Sequence, residues 1–419
     1  MANQSDDKWL IVGNGHYVTG HVESNEENDK GPGVVLLTVA DQKRLGNVGE
    51  ILVAGTNGTK FSGIREHVQR EFSKYRGMPT DFLSFPDDTV QKDEKAYLKA
   101  MDRLNPGDGV IIFTPDDTHY EIAQAAIERK LHVLLTKPPV KTLEDHVRLI
   151  EAAKRNNVLV GVELHKQFDK QYADARHKIR NAGSFVNFNS RHSQPYTQLG
   201  IFSSWLQRGA SDISYYLNSH HVGYHVLAME KIARPIQVKA YASNGIARSM
   251  GFDTEDIITL MVQWQNLSNA DRTGTATYTA GWVDLPGAEA YSRQGFSCQM
   301  ENGHFEIDQT HRGYLHVSKD GAKSPNPAFF NYSPDDAGFF DGRGCYGYES
   351  IARFMELARG VRQGSTNLED AVRRYPSIQR TLQLTAILEA GRISLVSGKE
   401  VKIGYDAEKS TEPSDLEIV

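Results

Sequence analysis

Short apolar segments alternate with helix-forming segments through the first 165 residues, and this alternation is the feature that most constrains the fold. Apolar runs at 9–12, 50–55, 108–114 and 132–136 have the length and composition of buried strands. Between the last two runs lies a segment with apolar residues on one face at helical spacing. Strands that alternate with helices form a parallel, doubly wound sheet whose ligands bind beyond the carboxyl ends of the strands. The sequence therefore predicts an α/β domain with a site at those strand ends.

The size and charge of the chain exclude several classes of protein. Because 419 residues are too many for one ordinary core, two domains are expected. The formal net charge of -6 argues against a nucleic-acid partner, and no apolar run approaches the ~18 residues of a membrane span. The N-terminal segment lacks the layout of a secretion signal, and two cysteines are too few for a disulfide framework. We therefore expect a cytoplasmic protein that acts on a small molecule, without a membrane or a nucleic acid as partner.

The segment GNGHYV follows the first predicted strand and has most of a dinucleotide-binding turn. Gly13 permits the tight turn, and Gly15 lets backbone amides approach a pyrophosphate. Val18 stands where a third glycine is usual, so an ordinary glycine turn is the alternative. A second predicted strand, 34–40, ends at Asp41, which is placed to accept the hydroxyls of an adenosine ribose.

Two alternatives stay open around the cofactor. Asp41 could instead be a carboxylate that caps a turn, and Lys43 and Arg44 directly after it could neutralise the 2′-phosphate of NADP. The expected cofactor is therefore NAD or NADP, with NAD favoured by Asp41.

A lysine stands at the end of the predicted strand 132–136, where two prolines follow it. In this place Lys137 can donate a proton to a substrate oxygen during hydride transfer from a nicotinamide. The alternative is a lysine whose ammonium reaches from a strand end into water.

The segment TPDDTHYEIAQAAIERKLHVLLTKP resembles the signature of the glucose-fructose oxidoreductase/inositol dehydrogenase (Gfo/Idh/MocA) family. The resemblance implies a Rossmann domain over 1–165 and an α+β domain with an open, mostly antiparallel sheet over 166–405. The composition of residues 406–419 predicts an acidic flexible tail. It makes Lys137 the active-site lysine, although Thr136 replaces the usual glutamate. The cofactor-binding residues that it implies are Gly13, Gly15, His16, Tyr17, Asp41, Thr114, Pro115, His119, Lys137 and Pro138.

The same family places an acidic residue and, four residues later, a catalytic histidine on a helix that meets the nicotinamide. In SDISYYLNSHHVGYHV the resemblance puts His220 at the histidine position and Tyr216 at the acidic position, with Asp212 as another candidate for the orienting acid. His221 is the alternative catalytic histidine, because a slip of one residue would exchange the two. Without the resemblance, a histidine cluster is more typical of hydrogen-bonded packing. Although His221 and His225 have the spacing of a helical metal pair, no metal is expected.

Several segments are most similar to a branch of the family that contains D-galacturonate reductases: AGTNGTKFSGIREH, TKPPVKTLEDH and SDISYYLNSHH. The carboxylate of a uronate calls for a cationic partner. The expected reaction reduces the aldehyde of the open-chain uronate to an aldonate, with Lys137 or His220 protonating the new alkoxide. Candidate substrate-binding residues, each of which could instead be a surface residue, are Lys166, Arg191, His192, Tyr216 and Arg312.

Two other functions stay open. A sugar or polyol dehydrogenase of the same family would use the same residues in the oxidative direction. A non-catalytic, nucleotide-sensing regulator is the second, because yeast galactose-regulon repressors resemble the family; Lys137 and His220 argue against it, whereas Thr136 and Tyr216 favour it. The resemblance also implies a homo-oligomer, a dimer or tetramer formed through the C-terminal sheet.

Overall fold

A computed structural model describes residues 6–22, 31–203, 211–319, 321–406 and 411–419. The N-terminal part is built on a parallel six-stranded sheet of order β3-β2-β1-β4-β5-β6. This is the strand order of a dinucleotide-binding Rossmann sheet, and the predicted doubly wound domain is confirmed. Its strands are β1 (Lys8–Val12), β2 (Glu50–Ala54), β3 (Leu83–Phe85), β4 (Gly109–Ile112), β5 (His132–Thr136) and β6 (Val160–Glu163).

Helices cover both faces of this sheet. Successive strand residues point to opposite faces, so Leu10 and Leu52 lie in one core cluster while Ile11 and Val53 lie in the other. The helices of this part are α1 (His16–Thr19), α2 (Val35–Arg44), α3 (Phe61–Phe72), α4 (Ala96–Met101), α5 (His119–Glu128) and α6 (Leu143–Asn156).

The second part is built on an eight-stranded sheet of order β12-β11-β7-β10-β9-β8-β15-β16. Only β7 and β10 are parallel among its described pairs, which confirms the mostly antiparallel sheet. The strands, including a separate β13-β14 hairpin, are β7 (Phe185–Pro195), β8 (Ala233–Ser243), β9 (Ile257–Asn266), β10 (Thr273–Asp284), β11 (Arg293–Met300), β12 (Gly303–Asp308), β13 (His316–Ser318), β14 (Gly321–Lys323), β15 (Val401–Tyr405) and β16 (Pro413–Ile418). The helices are α7 (Lys170–Ile179), α8 (Gln198–Ile201), α9 (Ser219–Ala228), α10 (Ile246–Ser249), α11 (Tyr346–Arg362), α12 (Leu368–Arg374) and α13 (Leu382–Ser397).

Helix α11 returns from the second part of the chain to the first sheet. Phe354 of α11 packs edge-on against Trp9 of β1, with ring centroids 6.2 Å apart. The amide of Val162 in β6 donates to the carbonyl of Pro376 at 2.7 Å. Residues far along the chain therefore complete the core of the first sheet and brace the end of β6.

Asp41 lies in a helix, so the predicted strand at 34–40 is wrong. Residues 35–44 form α2, whose first eight residues are all buried, and a helix buried all round has the same continuous apolar pattern as a buried strand. A helix that joins two parallel strands runs back toward the edge where they start, so the last turn of α2 lies away from the carboxyl ends of the strands. The Asp41 carboxylate accepts hydrogen bonds from Arg44 at 2.6 Å and from the Tyr348 hydroxyl at 2.7 Å.

The chain end differs from the predicted flexible acidic tail. Residues 413–418 form the edge strand β16, which pairs with β15 from Val401–Ile418 to Tyr405–Pro413; residues 407–410 of the predicted tail lie outside the described residues. No helix in the described part of the chain combines the length and apolar composition of a membrane span.

We expect Asp41→Ala to lower the free energy of unfolding by roughly 3 kcal/mol, because Arg44 and Tyr348 lose a fully buried partner. The affinity for a dinucleotide should not change. Urea unfolding and cofactor titration measure the two quantities. Asp81→Ala is the matched control, because its ion pair with Lys43 is mostly exposed and contributes less than about 1 kcal/mol. Lost cofactor affinity with unchanged stability in Asp41→Ala would contradict the structural role.

Candidate active site

The glycine loop after β1 has the geometry that a bound dinucleotide requires. Gly13 has a φ of 111°, and a Cβ there would lie 2.0 Å from the carbonyl oxygen of Phe113, so only glycine fits. A Cβ on Gly15 would meet nothing within 4 Å, so the backbone at the start of α1 (His16–Thr19) faces open space. Val18 replaces the third glycine and is buried in the core.

Two polar atoms beside this loop are shielded from solvent without a hydrogen-bond partner among the described residues. They are Asn14 Nδ2 and the Tyr17 hydroxyl. The Tyr17 ring stacks on Phe113 at 5.4 Å, and its pKa is raised well above the usual value, by burial first and then by Glu163. Unpaired shielded donors next to an open glycine backbone fit the polar groups of a nicotinamide dinucleotide.

His119 connects the ends of β4 and β5. Its ring nitrogens lie 2.8 Å from the carbonyl oxygen of Pro138 and 2.9 Å from that of Thr114, and the side chain is fully buried. The structure therefore gives His119 an indirect role: it holds the two loops that carry Thr114, Pro115 and Lys137. Direct contact of its ring with a cofactor, as the resemblance implied, does not fit this burial.

Lys137 is partly buried at the end of β5 and is covered by the segment before α9. Its Nζ donates to the carbonyl oxygen of Tyr216 and lies 4.3 Å from the centroid of the Tyr216 ring. Burial lowers the pKa of Lys137 to about 8, against the opposing effects of Asp116 and Glu163. An ammonium with a pKa near the working pH suits general acid catalysis.

His220 and His221 face different surroundings because consecutive helical residues point in different directions. The His220 ring lies 4.8 Å from His165 and 5.2 Å from His192, and its Nδ1 has no hydrogen-bond partner in the described ranges. His221 Nε2 lies 3.2 Å from the Tyr172 hydroxyl inside the second domain. Burial lowers the pKa of both histidines well below the usual value. His220 is therefore the one that shares the site with Lys137, which ranks among the groups that lower its pKa.

The two candidates for the orienting acid, Asp212 and Tyr216, make contacts with other groups. Asp212 Oδ1 accepts hydrogen bonds from the amides of Ser214 and Tyr215, at 2.8 and 2.9 Å, and caps the π-helical turn Ser214–Asn218 that leads into α9. Tyr216 contacts Lys137. Asp212 therefore stabilises the turn, and Tyr216 covers the lysine.

Lys166 is almost fully buried near the histidines. Its Nζ donates to Gln294 Oε1 at 2.5 Å and to Gln309 Oε1. Burial lowers its pKa to about 7, although Asp169 opposes the shift. His192 is also buried, with Nε2 3.0 Å from Ser292 Oγ.

The other two candidate substrate-binding residues, Arg191 and Arg312, have different surroundings. Arg191 is exposed, because strand alternation sends it to the opposite face of β7 from His192, so the prediction that it faces the site is wrong. Arg312 is paired with Asp169 at 2.6 Å and lies 5.8 Å from the Tyr346 ring, next to the network of Lys166.

Sequence reasoning missed Glu163 and His165. Glu163 ends β6, pairs in register with Thr136, and is almost fully buried. His165 follows in the next turn and stacks on Tyr346 at 5.6 Å. The sequence contained a signal for Glu163, because this residue ends a parallel strand and Lys137 directly follows the end of another. No group of three or more His, Cys, Asp or Glu with metal-binding geometry occurs among the described residues.

Comparisons with known proteins find a matching family model for the N-terminal part of the chain. Residues 8–164 match the Gfo/Idh/MocA family model, described as an oxidoreductase family with an NAD-binding Rossmann fold. The chain is 26% identical over 227 residues to the scyllo-inositol 2-dehydrogenase (NADP(+)) IolW of Bacillus subtilis. The aligned segment covers 52% of this chain and 60% of that protein. It is 36% identical over 76 residues to the scyllo-inositol 2-dehydrogenase (NAD(+)) of the same organism, and this alignment covers 18% of this chain and 22% of that protein.

Solved structures are similar over nearly the whole chain. The scyllo-inositol dehydrogenase of Lactobacillus casei with NAD(H) and scyllo-inositol superposes with a TM-score of 0.64 at 12% identity, covering 95% of this chain and 99% of that one. The myo-inositol 2-dehydrogenase of Lactobacillus plantarum superposes with a TM-score of 0.63 at 14% sequence identity, and the superposition covers 96% of this chain and 100% of that one. These likenesses concern the two-domain fold. Residues 8–164 are therefore similar to the Gfo/Idh/MocA oxidoreductase family, and the chain spans 60% or less of the length of these two curated relatives.

Proposed function

We propose that the protein is an NAD(P)H-dependent oxidoreductase that reduces the aldehyde of a sugar acid, such as D-galacturonate, to an aldonate. The observation that carries this proposal is the environment of Lys166. Its ammonium is buried, forms no ion pair within the described residues, and contacts two neutral glutamine oxygens. An unpaired buried ammonium is costly, and a substrate carboxylate would offset that cost.

The residues of the site divide the chemistry as follows. A nicotinamide dinucleotide held at Gly13, Gly15 and Tyr17 would supply a hydride to the carbonyl carbon. Lys137 Nζ donates a proton to the carbonyl oxygen, so that the aldehyde becomes a primary alcohol and NAD(P)H becomes NAD(P)+. His220 holds the same oxygen or a neighbouring hydroxyl through its unpaired Nδ1. Lys166 binds the carboxylate, and the Tyr216 ring excludes water from Lys137.

A polyol dehydrogenase is the second candidate, and the inositol dehydrogenases among the relatives favour it. In that direction a neutral Lys137 accepts the proton of the substrate hydroxyl. A non-catalytic nucleotide sensor is less well supported, because a proton donor of lowered pKa has no task in it.

For the cofactor we infer a preference for NADPH. The turn after β2 lies beside the glycine loop, because the Gly13 amide donates to Ala54 at 2.8 Å and a Cβ on Gly55 would meet Asn14 at 2.4 Å. The turn reads GTNGTK from 55 to 60 and contains a lysine but no carboxylate. A carboxylate here would accept the ribose hydroxyl of NAD, and its absence beside Lys60 favours a 2′-phosphate.

We expect turnover with D-galacturonate and D-glucuronate, and Lys166→Met should raise KM for these uronates about tenfold or more, because a charge-assisted contact is lost. The KM for neutral aldoses should stay unchanged. Steady-state oxidation of NAD(P)H across uronates, aldoses and inositols measures this. Arg191→Met, on the other face of β7, is the control without effect. Turnover of inositols alone would replace the proposal with the polyol dehydrogenase.

The kcat/KM for aldehyde reduction should fall as pH rises through about 8, because only protonated Lys137 donates a proton. Lys137→Met should lower kcat by about 10²-fold or more and lose this limb of the profile. His221→Gln changes a residue on another side of the helix that carries His220, and this variant should keep the basic limb of the pH profile. An unchanged pH limb in Lys137→Met would show that another group is the acid.

We expect kcat/KM to be at least about tenfold higher with NADPH than with NADH. Lys60→Met should remove most of this preference, whereas Lys43→Met should not, because Lys43 lies in the last turn of α2, away from the carboxyl ends of the strands. Initial rates at limiting cofactor measure both. Equal use of the cofactors by the unchanged protein would refute the assignment.

A further inference from the structure

Two acidic residues that this family resemblance leads one to expect are replaced, at Thr136 beside Lys137 and at Tyr216 before His220. The described groups that face His220 and lower its pKa are Lys137, His165, His192 and Lys166, and none of them is acidic. Positive charge among these nitrogen bases is unfavourable unless a carboxylate lies nearby. Two carboxylates from other elements act on Lys137, Asp116 first and then Glu163, and Asp116 accepts a hydrogen bond from Ser211.

Of these two carboxylates, Glu163 is the one that lies beside the replaced position Thr136. It is the Cα partner of Thr136 in the β5-β6 register, so its side chain starts one strand away from the replaced residue. It is almost fully buried, and Oε1 accepts a hydrogen bond from Ser350 Oγ of α11 at 2.6 Å. Helix α11 thus holds the carboxylate in one orientation at the strand end.

The second carboxylate oxygen faces His165. Glu163 Oε2 lies 3.4 Å from His165 Nδ1, and the His165 ring is enclosed by Tyr346 at 5.6 Å and Phe329 at 5.4 Å. The His220 ring also packs against His165, with ring centroids 4.8 Å apart. The three side chains form a continuous row, Glu163–His165–His220, and Lys137 acts electrostatically on its last member.

We propose that Glu163 and His165 act together as positioning residues that replace the two missing acids: the carboxylate keeps Lys137 protonated, and the imidazole that it orients holds His220 toward the substrate. The inference rests on the proposed function, since it concerns the proton donor of that reaction. Glu163 favours the charged form of Lys137 because opposite charges in a dry site attract strongly.

Other charged and titratable groups meet this row and would contribute to its titration. They are Asp116 toward Lys137, Tyr17 and Tyr375 toward Glu163, and His192 and Lys166 toward His220. Glu163→Gln leaves all of them in place, so the change in Lys137 isolates one charge.

The first test measures the titration of Lys137 by NMR of lysine-labelled protein without substrate, with the signal assigned by its loss in Lys137→Met. Glu163→Gln should lower the pKa of Lys137 by about one unit, since an attractive charge is removed. The basic limb of kcat/KM should move to lower pH by the same amount. Glu389→Gln is the matched control: Glu389 binds the Leu143 amide at 2.6 Å, and its loss should leave the titration unchanged. An unshifted Lys137 in Glu163→Gln would overturn the proposal.

The second test asks whether the pair acts as a unit. His165→Asn should lower kcat about tenfold with little change in KM, and adding Glu163→Gln should cost much less than it does alone, as expected for coupled residues. Additive losses would overturn the pairing. Glu163→Asp keeps the charge but withdraws it from His165, so Lys137 should titrate normally while kcat falls; this variant also serves if Glu163→Gln does not fold. Because the NMR titration needs no substrate, it stands even if no uronate is turned over.

Discussion

The desolvation of Lys137 is the constraint on which the rest of this site depends. An ammonium taken from water loses hydration, and the pKa of Lys137 falls to about 8 even though Asp116 and Glu163 raise it. Asp116 follows β4 and Glu163 ends β6, the strands on either side of β5. The parallel register brings the three strand ends to one edge, so the electrostatics of the lysine follow from the order of the sheet.

The second domain completes the site from the other side. The π-helical turn capped by Asp212 sets Tyr216 over Lys137 and leads into α9, which carries His220. Helix α11 then returns to the first sheet and fixes Glu163 through Ser350. Each candidate side chain is therefore held by packing between elements that are distant in sequence, and this burial strengthens the charge interactions among them.

Much of this arrangement could be predicted. Alternating strands and helices indicated the doubly wound sheet, and the strand-end rule located Gly13, Gly15 and Lys137. The prediction that Asp41 ends a strand was wrong because a fully buried helix has no polar face to distinguish it from a buried strand. The prediction that Arg191 binds the substrate was wrong because the side of a strand that faces a site depends on its register in the sheet. Glu163 was missed because its relation to Thr136 exists only across two paired strands.

The sequence by itself determined the kind of sheet, the glycine turn, and the presence of a lysine and a histidine suited to proton transfer. It did so because apolar periodicity and backbone freedom are local properties. Only the tertiary structure decided which of two adjacent histidines faces the lysine, which cations are buried without an acid, and where the compensating carboxylate comes from. Those answers depend on distances between residues far apart in the chain, since charge and desolvation act through space.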